Sequence, residues 1–519
     1  MKNITKYLII VAGIVLGFAC VKEPTMSATE IEQRSLKAWI EKYHPELLEN
    51  YQEEGGYYVE ILDRGVQDSL PITGKDAWLW VDFTARDLQG NVCETRSWEL
   101  ALQQNTYNNH THYTPVFRFS GKDSHTLLEG SYLAIFNKLK IGDEEFEARY
   151  GTRLRLYLPS TVTSSNTGGT ADGGYEGQYE LDGDKPAIVD MMVYGHITNP
   201  VAYEGNRVDS FANINGGLCT EHKAEPKEDE ESAEKSMRRR ITRADGEEGE
   251  EEVDTRPLEF YDGRWHQPID TLAQLYVNYA YSPARNTFDY NAIGVDTLMY
   301  PSENGYDKGK IYGSTTLADI DRRINEALVE RFGEGITYDE VLEADSLKTK
   351  ATAKVWYIGR FLDGYVFDTN IDEVREIVFG DVGEAGEALS FETKKPLDND
   401  YILAWNYSLP TLRLGQWATI LTVSTYAYGI SGQVGAHTST TTGDTSAIDY
   451  ANYYNYMSYM NSMYGYGYGS MYNSGYYGYN PYYYGYNYVP SNTNTTTITT
   501  TATEIPSYSP MIFQVFVEK

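Results

Sequence analysis

The sequence predicts an α+β protein in which two strand-rich domains are joined by an acidic linker and a partly helical connector. Three observations predict this class. Residues 57–200 and 346–519 alternate β-branched or aromatic residues with polar ones, as half-buried strands do. Residues 215–258 are dense in charge and poor in apolar residues, which predicts a disordered linker. Residues 259–345 carry apolar residues at three- and four-residue steps, which indicates an amphipathic helix in the connector.

The composition fits several packed domains and argues against some partners. The chain has 519 residues, of which 41% are hydrophobic, and this is enough for roughly two to four domains. The formal net charge is -32 at pH 7. Phosphate groups would be repelled by such a surface, so we expect no nucleic-acid partner and no polybasic membrane contact.

The N-terminus resembles the signal of a bacterial lipoprotein. Lys2 and Lys6 precede an apolar run over 7–19 that is too short to span a bilayer, and Cys20 follows directly. This pattern predicts a signal peptide over residues 1–20, lipidation of Cys20, and attachment to a membrane through the acyl chains. An uncleaved anchor and a plain secretory signal are the alternatives.

The first domain is preceded by a tether and a short helix over residues 21–56, where Ser27 and Glu30 have the spacing of a capping box. Three strands are predicted in this domain, at residues 77–84, 153–158 and 187–193.

The linker and the connector have different patterns. In the linker, the basic run 238–240 lies between acidic runs, so a partner site and a protease site are alternatives to a solvated charged segment. In the connector, the predicted helix ends before Gly333. Its apolar residues are Leu317, Ile320, Ile324, Leu328 and Phe332.

Three segments of residues 346–519 carry aromatic residues in a distinctive order. The first reads Val-Trp-Tyr-Ile-Gly from residue 355 and Asp-Gly-Tyr-Val-Phe-Asp-Thr from residue 363. The second reads Tyr-Ile-Leu-Ala-Trp from residue 401, Leu-Arg-Leu-Gly from residue 412, and Ala-Tyr-Gly-Ile-Ser-Gly from residue 427. The third reads Ile-Pro-Ser from residue 505 and Met-Ile-Phe-Gln-Val from residue 511.

In order and internal spacing, these segments resemble the FKBP family of peptidyl-prolyl cis-trans isomerases. Trp405 and Gly415, for example, are ten residues apart, as in that family. The resemblance implies an FKBP-like fold, an antiparallel half-barrel sheet wrapped on a short helix. It also implies catalysis of the cis/trans exchange of X-Pro bonds, with proline-containing polypeptides as clients.

Prolyl isomerisation needs an apolar pocket more than it needs reactive groups. Amide resonance sets a barrier of about 20 kcal/mol. The planar amide is charge-separated, so a dry, apolar pocket disfavours it relative to the twisted state, and no metal or cofactor is expected. The resemblance assigns the pocket to five aromatic residues, with the tryptophan as the floor: Tyr357, Phe367, Trp405, Tyr428 and Phe513.

The resemblance also implies polar contacts to the substrate. The backbone N–H of Ile402 and the hydroxyl of Tyr428 would reach substrate carbonyls, and Asp368 would place a buried carboxylate beside the twisting bond. Around them, three residues would border the substrate: Tyr401, Ala427 and Ile505. The alternative is that these aromatic residues form an ordinary β-sheet core.

A block rich in Tyr, Gly, Asn and Thr interrupts the second domain over residues 434–503. In the FKBP family the loop at this point overhangs the pocket. Three roles are open for the insertion: it extends substrate binding, it plugs the pocket, or it docks a partner.

Residues 57–200 resemble a second, degenerate copy of the same fold. Cys93 and Glu94 stand where the family has Phe-Asp, and no Ala-Tyr-Gly sequence follows. We therefore expect this domain to be a structural or binding module without a prolyl pocket.

The remaining cysteines and histidines give weaker signals. Cys93 and Cys219 either form a disulfide in an oxidising compartment or remain buried thiols. His110 and His112 form an isolated H-x-H pair, which we interpret as surface polar residues because further metal ligands are lacking.

Together these patterns predict a lipoprotein of the outer membrane, similar to those of Bacteroidota, that faces the periplasm or the cell surface. Its expected activity is prolyl isomerisation of exported proteins. A second possibility is a non-catalytic subunit of an outer-membrane assembly or secretion complex that binds partners through its FKBP-like domains and its Tyr-rich loop. A third is a general chaperone.

Overall fold

The computed structural model describes most of the two strand-rich regions. The described residues are 27–72, 77–105, 107–121, 125–163, 186–219, 238–242, 248–252, 262–269, 271–285, 288–290, 312–313, 315–337, 340, 344–345, 347, 350–380, 385–393, 400–433, 436–442 and 495–519. The predicted signal peptide, the lipidation of Cys20 and most of the Tyr-rich insertion lie outside these residues.

The strands and helices are numbered in chain order. The strands are β1 (Tyr51–Gln52), β2 (Tyr57–Arg64), β3 (Ala77–Asp87), β4 (Val92–Thr95), β5 (Val116–Ser120), β6 (Leu139–Ile141), β7 (Glu144–Phe146), β8 (Thr152–Leu158), β9 (Ala187–Ile197), β10 (Arg238–Thr242), β11 (Glu248–Glu252), β12 (Leu275–Asn278), β13 (Thr352–Phe361), β14 (Val366–Thr369), β15 (Leu389–Glu392), β16 (Trp417–Thr422), β17 (Ala436–Thr442), β18 (Thr495–Ala502) and β19 (Met511–Val517). The helices are α1 (Ala28–Tyr43), α2 (Trp98–Gln103), α3 (Glu129–Phe136), α4 (Pro200–Ile214), α5 (Leu317–Phe332), α6 (Asp372–Phe379) and α7 (Leu403–Ser408).

The two large sheets have matching strand orders, except that the first has an additional edge strand, β1. The first runs β1-β2-β8-β9-β3-β4, with β5 also paired to β3. The second runs β12-β16-β19-β13-β14, with β15 also paired to β13. All of these ladders are antiparallel, and both sheets are open. The α+β class, with two open antiparallel sheets that each accompany a short helix, is therefore confirmed.

The correspondence between the domains extends to single residues. A register shift occurs between Ala85 and Arg86 where β3 meets β4. An equivalent shift occurs between Gly359 and Arg360 where β13 meets β14. A β-bulge leaves one residue without a cross-strand partner and changes the direction of its side chain. Because both domains have a bulge at the equivalent place, their residues can be compared position by position around it.

The second sheet takes its edge strand from residues that the sequence assigned to the connector. β12 pairs with β16, from Leu275 opposite Thr422 to Asn278 opposite Thr419. The amphipathic helix α5 lies in the chain between β12 and β13. The second domain thus includes residues well before position 346. A fragment that begins at residue 346 would lack β12.

Two helices confirm local predictions. α1 begins at a capping box in which the Ser27 side chain accepts the Glu30 N–H and the Glu30 side chain accepts the Ser27 N–H. α5 begins at the N-cap Thr316 and ends at Gly333, whose φ of 75° favours glycine. The buried face of α5 consists of Leu317, Ile320, Ile324 and Leu328.

Three short hairpins complete the described structure, and the first of them pairs β6 with β7, from Leu139 opposite Phe146 to Ile141 opposite Glu144. β10 pairs with β11 inside the acidic linker, which adds local pairing to a segment predicted to be disordered. β17 pairs with β18 and forms a stem at the base of the Tyr-rich insertion. Among the described residues, no helix combines the length and the apolar character that a membrane span requires.

Candidate functional site

The five aromatic residues predicted from the sequence form one cluster between the second sheet and α7. Tyr357 lies on β13, Phe513 on β19, and Phe367 at the bulge of β14. Phe513 pairs with Gly359 across the sheet. A Cβ at Gly359 would lie 2.7 Å from the Phe367 ring, so the missing side chain at this position makes room for that ring.

The rings contact each other mainly edge to face. Trp405 on α7 has its ring centroid 4.9 Å from that of Tyr357 and 5.5 Å from that of Phe513. The Phe367 ring lies 6.0 Å from both Phe513 and Tyr428, with interplanar angles of 86° and 85°. These are favourable quadrupole geometries for aromatic pairs. Trp405 is only 5% exposed and closes the bottom of the cluster.

A half-buried carboxylate lies beside the rings. The Tyr357 hydroxyl donates a hydrogen bond of 2.5 Å to Asp368 Oδ2. Burial raises the pKa of Asp368, although this hydrogen bond opposes the shift. Burial and the neighbouring Asp368 carboxylate also raise the pKa of Tyr357. Tyr357 therefore stays protonated at neutral pH and holds Asp368 in place.

Two donors in the cluster have no acceptor within the described part of the chain. The indole Nε1 of Trp405 is buried without a partner there. The N–H of Ile402, the N-cap of α7, likewise makes no hydrogen bond to a described residue. A buried donor without a partner, such as the Trp405 indole N–H, is uncommon in folded proteins and calls for an explanation.

The residues predicted to border the substrate lie in different surroundings. Tyr401 is half-buried, stacks on Phe391, and donates its hydroxyl to the Ser390 carbonyl at 3.0 Å. Ala427 is also half-buried and directly precedes Tyr428. Ile505 is 4% exposed. The Ile505 side chain is therefore buried.

One participant in the cluster was missed from the sequence. Phe361 ends β13, and its ring lies 4.9 Å from that of Phe367. It therefore supports the pocket wall from behind. Its position four residues after Tyr357 places it at a spacing that strand alternation directs to the same face, and this is the signal that could have indicated it.

The first domain lacks this cluster. By strand register and helix start, five of its positions correspond to Tyr357, Phe367, Asp368, Trp405 and Phe513, and they are occupied in that order by Phe83, Cys93, Glu94, Ser131 and Val189. At three of these positions a much smaller side chain, Cys93, Ser131 or Val189, replaces an aromatic ring, and the floor residue is a serine. The register places Cys93 and Glu94 at the positions expected from the sequence.

The histidine pair is not a surface feature, so that interpretation was wrong. His112 Nε2 lies 2.7 Å from Asp363 Oδ2 in the second domain, and the His112 side chain is 9% exposed. His110 stacks on Phe379 with ring centroids 4.2 Å apart. Both histidines lie at the contact between the domains. Cys93 and Cys219 are not joined in a disulfide, and both are half-buried.

No protein-family model and no curated protein matches the chain. Solved structures that match it include the three FKBP domains of wheat FKBP73, which are 11% identical over 90% of this chain and 95% of that chain, with a TM-score of 0.19. FkpA from Escherichia coli is 10% identical over 38% of this chain and 72% of its own, with a TM-score of 0.20. AtFKBP13 is 13% identical over 28% of this chain and 96% of its own, with a TM-score of 0.19.

Of these three structures, the wheat protein and AtFKBP13 carry the FKBP name. Their identities and TM-scores are low, so the global likeness supports no further inference. The chemistry of this chain has to be inferred from its own residues.

Proposed function

We propose that this protein is an FKBP-type peptidyl-prolyl cis-trans isomerase that acts on X-Pro bonds of exported polypeptides through its second domain. The observation that carries the proposal is the aromatic cluster over Trp405, which combines a half-buried carboxylate at Asp368 with a backbone donor at Ile402. A sheet core built only for stability would have no reason to keep a carboxylate and an unused N–H at the same place.

The proposed mechanism uses environment and not covalent chemistry. The proline ring would enter the aromatic cluster, with Trp405 beneath it and Phe367 and Tyr357 at its sides. The low polarity there disfavours the planar, charge-separated amide relative to the twisted state. The Ile402 N–H would hold the carbonyl of the substrate, so that rotation occurs about a fixed end. Tyr428 would offer its hydroxyl from the opposite side.

The test is a protease-coupled assay of a proline tetrapeptide with residues 21–519, since β12 belongs to the second sheet. Phe367→Leu should lower kcat/KM about tenfold or more, because it removes a wall ring and its contacts. Phe516→Leu is the matched control, since Phe516 lies on the other face of the sheet against Phe332 and Trp417.

The control variant should retain the wild-type rate. Wild-type protein that accelerates isomerisation no more than buffer does would overturn the proposal, as would equal losses in the two variants at equal folded fraction.

We also propose that the protein is an outer-membrane lipoprotein anchored through Cys20. The short apolar run that ends at this cysteine supports the proposal. Metabolic labelling with a fatty acid should mark the wild type and not Cys20→Ser, and the wild type should fractionate with the outer membrane. Labelling of both proteins would contradict it.

A non-catalytic binding role is the second candidate. The loss of the aromatic cluster from the first domain favours it, because that domain keeps the fold without the pocket. In this case stable partners should co-purify with the full chain from membranes, and Phe367→Leu should leave their recovery unchanged. A chaperone role would instead show suppressed aggregation of clients that survives the same substitution.

A further inference from the structure

The loop that carries Tyr428 is held by the other domain. Two segments form the rim of the aromatic cluster, residues 424–433 and 504–510, which we call the rim loops. They are joined by paired backbone hydrogen bonds between Gln433 and Ile505, at 2.9 and 2.8 Å. Tyr508 also donates its N–H to the Ile430 carbonyl at 3.2 Å. The two rim loops therefore form one connected unit.

The main contact from the first domain is a buried carboxylate. Glu204 lies on α4, which directly follows the last strand of the first sheet, and it is 1% exposed. Its Oε1 accepts the backbone N–H of Ser424, and its Oε2 accepts the Ser424 hydroxyl at 2.9 Å. Ser424 is itself 1% exposed. One side chain of α4 thus satisfies both donors of the residue at the start of the loop.

Hydrogen bonds to Ser424 from the two neighbours of Tyr428 also restrain Tyr428. The Ser424 carbonyl accepts the N–H of Ala427 at 2.9 Å and the N–H of Gly429 at 2.8 Å. These two residues flank Tyr428 on either side. The tyrosine ring then meets Phe367 at 6.0 Å and 85°. The position of the Tyr428 ring is therefore tied, through two sets of hydrogen bonds, to the Glu204 carboxylate.

A second pair of contacts holds the other rim loop. Glu504 has its carboxylate oxygens 3.8 Å from Nη1 of Arg96 and 3.8 Å from Nη1 of Arg118, both in the first domain. The Trp78 ring meets Tyr508 edge to face at 5.0 Å. Both ends of the connected unit are thus anchored on the first domain, and not only on the sheet beneath it.

We propose that Glu204 is a positioning residue for the isomerase site, by which the first domain holds the rim loops in the arrangement that brings Tyr428 against Phe367. This inference rests on the proposed function of the second domain. It gives the degenerate first domain a role: without a pocket of its own, it supplies the support on which the rim of the other pocket is built.

The test compares Glu204→Ala with Glu204→Gln in residues 21–519. Two quantities are measured: kcat/KM on a proline tetrapeptide and hydrogen–deuterium exchange of the amides in 424–433. In Glu204→Ala, exchange in this loop should speed up about tenfold or more, and kcat/KM should fall by a comparable factor. In Glu204→Gln both should stay near wild type, because the amide oxygen still accepts the Ser424 N–H.

Two further variants sharpen the result. Asn206→Ala changes an exposed residue of the same helix and should leave both quantities unchanged. Ser424→Ala removes only the hydroxyl donor and should speed up exchange in the same loop to a smaller extent. If Glu204→Ala does not fold, Ser424→Ala replaces it in the test.

The outcomes separate this inference from the proposed function. If amide exchange becomes faster throughout both sheets in these variants, the role of Glu204 is merely structural. If amide exchange in residues 424–433 of the variants stays at the wild-type rate, Glu204 does not hold the loop. Either result overturns the inference. Wild-type protein without isomerase activity would overturn the proposed function, while the exchange of 424–433 would still decide whether Glu204 holds the loop.

Discussion

At the scale of single residues, the two domains differ at two positions in contact, where one side chain is larger and the other is smaller. In the second domain, Gly359 leaves space that the Phe367 ring fills. In the first domain, the corresponding strand residue is Ala85 and the corresponding bulge residue is Cys93. A larger strand residue thus accompanies a smaller wall residue, as close packing of a fixed volume requires. The loss of the pocket in the first domain is a coupled change at two positions.

This coupling predicts the effect of Gly359→Ala. The new Cβ would lie 2.7 Å from the Phe367 ring and displace it, which should reduce the free energy of unfolding by about 1–3 kcal/mol and lower kcat/KM. Urea titration and the tetrapeptide assay measure the two effects. The double variant Gly359→Ala/Phe367→Cys should lose less stability than the two single variants together and should lack activity. A single variant that retains both properties would refute the coupling.

A second prediction at this scale concerns Asp82 and pH. Burial raises the pKa of Asp82 from its ordinary value of 3.8 to about 6, while Arg96 opposes the shift. Because the folded state binds this proton more tightly, the stabilising contribution is present below about pH 4 and is lost as the pH rises through about 6, by roughly 3 kcal/mol at most. Asp82→Asn should remove this dependence.

Urea unfolding of wild type and variant at pH 4 and pH 7 measures the difference for Asp82. Asp68→Asn, at an exposed aspartate, is the control and should follow the wild-type profile. Parallel stability profiles for wild type and Asp82→Asn would contradict the assignment.

At the scale of secondary-structure elements, α5 is fixed to the second sheet by a buried ion pair. Arg360 on β13 is 1% exposed, and its Nη1 lies 2.5 Å from Oδ1 of Asp321 on α5. The same guanidinium also donates to Gln514 and to the Gly364 carbonyl. This buried arginine near the end of β13 therefore donates to three partners, and the helix supplies the only carboxylate described within ion-pair distance of it.

The ion pair predicts a large effect of Asp321→Ala. The substitution would leave the Arg360 guanidinium buried without a carboxylate, and it should reduce the free energy of unfolding by about 3–5 kcal/mol. Glu326→Ala on the same helix breaks only an exposed pair with Arg322 and should cost about 0.5 kcal/mol or less. Thermal and urea unfolding of both variants provide the comparison. Similar losses would show that burial of the pair does not matter.

Secondary-structure elements with a clear hydrophobic period could be predicted from the sequence. Elements that depend on a distant strand partner could not. The helix α5 follows from its apolar spacing and its Gly333 cap, and the pocket strands follow from their aromatic residues. β12 is only four residues long, so it is too short to show an alternation, and its partner β16 is more than a hundred residues away.

The candidate site shows the same limit. The five clustered rings could be inferred from motif order. Glu204 could not, because its carboxylate gains a role only when α4 meets a turn 220 residues later in the chain.

At the scale of the whole molecule, α4 belongs to both domains. Its Tyr203 ring meets Trp80 and Phe117 of the first sheet, at 6.3 and 6.0 Å. Its Phe211 is fully buried against Trp265 and belongs to the core of the second domain. A helix shared in this way couples the stability of the two domains, because neither can unfold without exposing one face of it.

The shared helix predicts a single unfolding transition for the wild type. Phe211→Ala should destabilise the second domain by about 3–5 kcal/mol and separate its transition from that of the first. Differential scanning calorimetry of residues 21–519 measures this. Ile214→Ala, at a residue of the same helix that is 47% exposed, should leave the single transition in place. Two separate transitions in the wild type would contradict the coupling.

The hairpin of β17 and β18 has a consequence for protein engineering. The pairing runs from Ala436 opposite Ala502 to Thr442 opposite Thr495, so the two ends of the intervening segment are held as neighbours. For a flexible segment between fixed ends, each doubling of length costs only about 0.6 kcal/mol in closure entropy. A flexible foreign peptide grafted between Thr442 and Thr495 would therefore add little closure cost as its length grows, and should leave the fold in place.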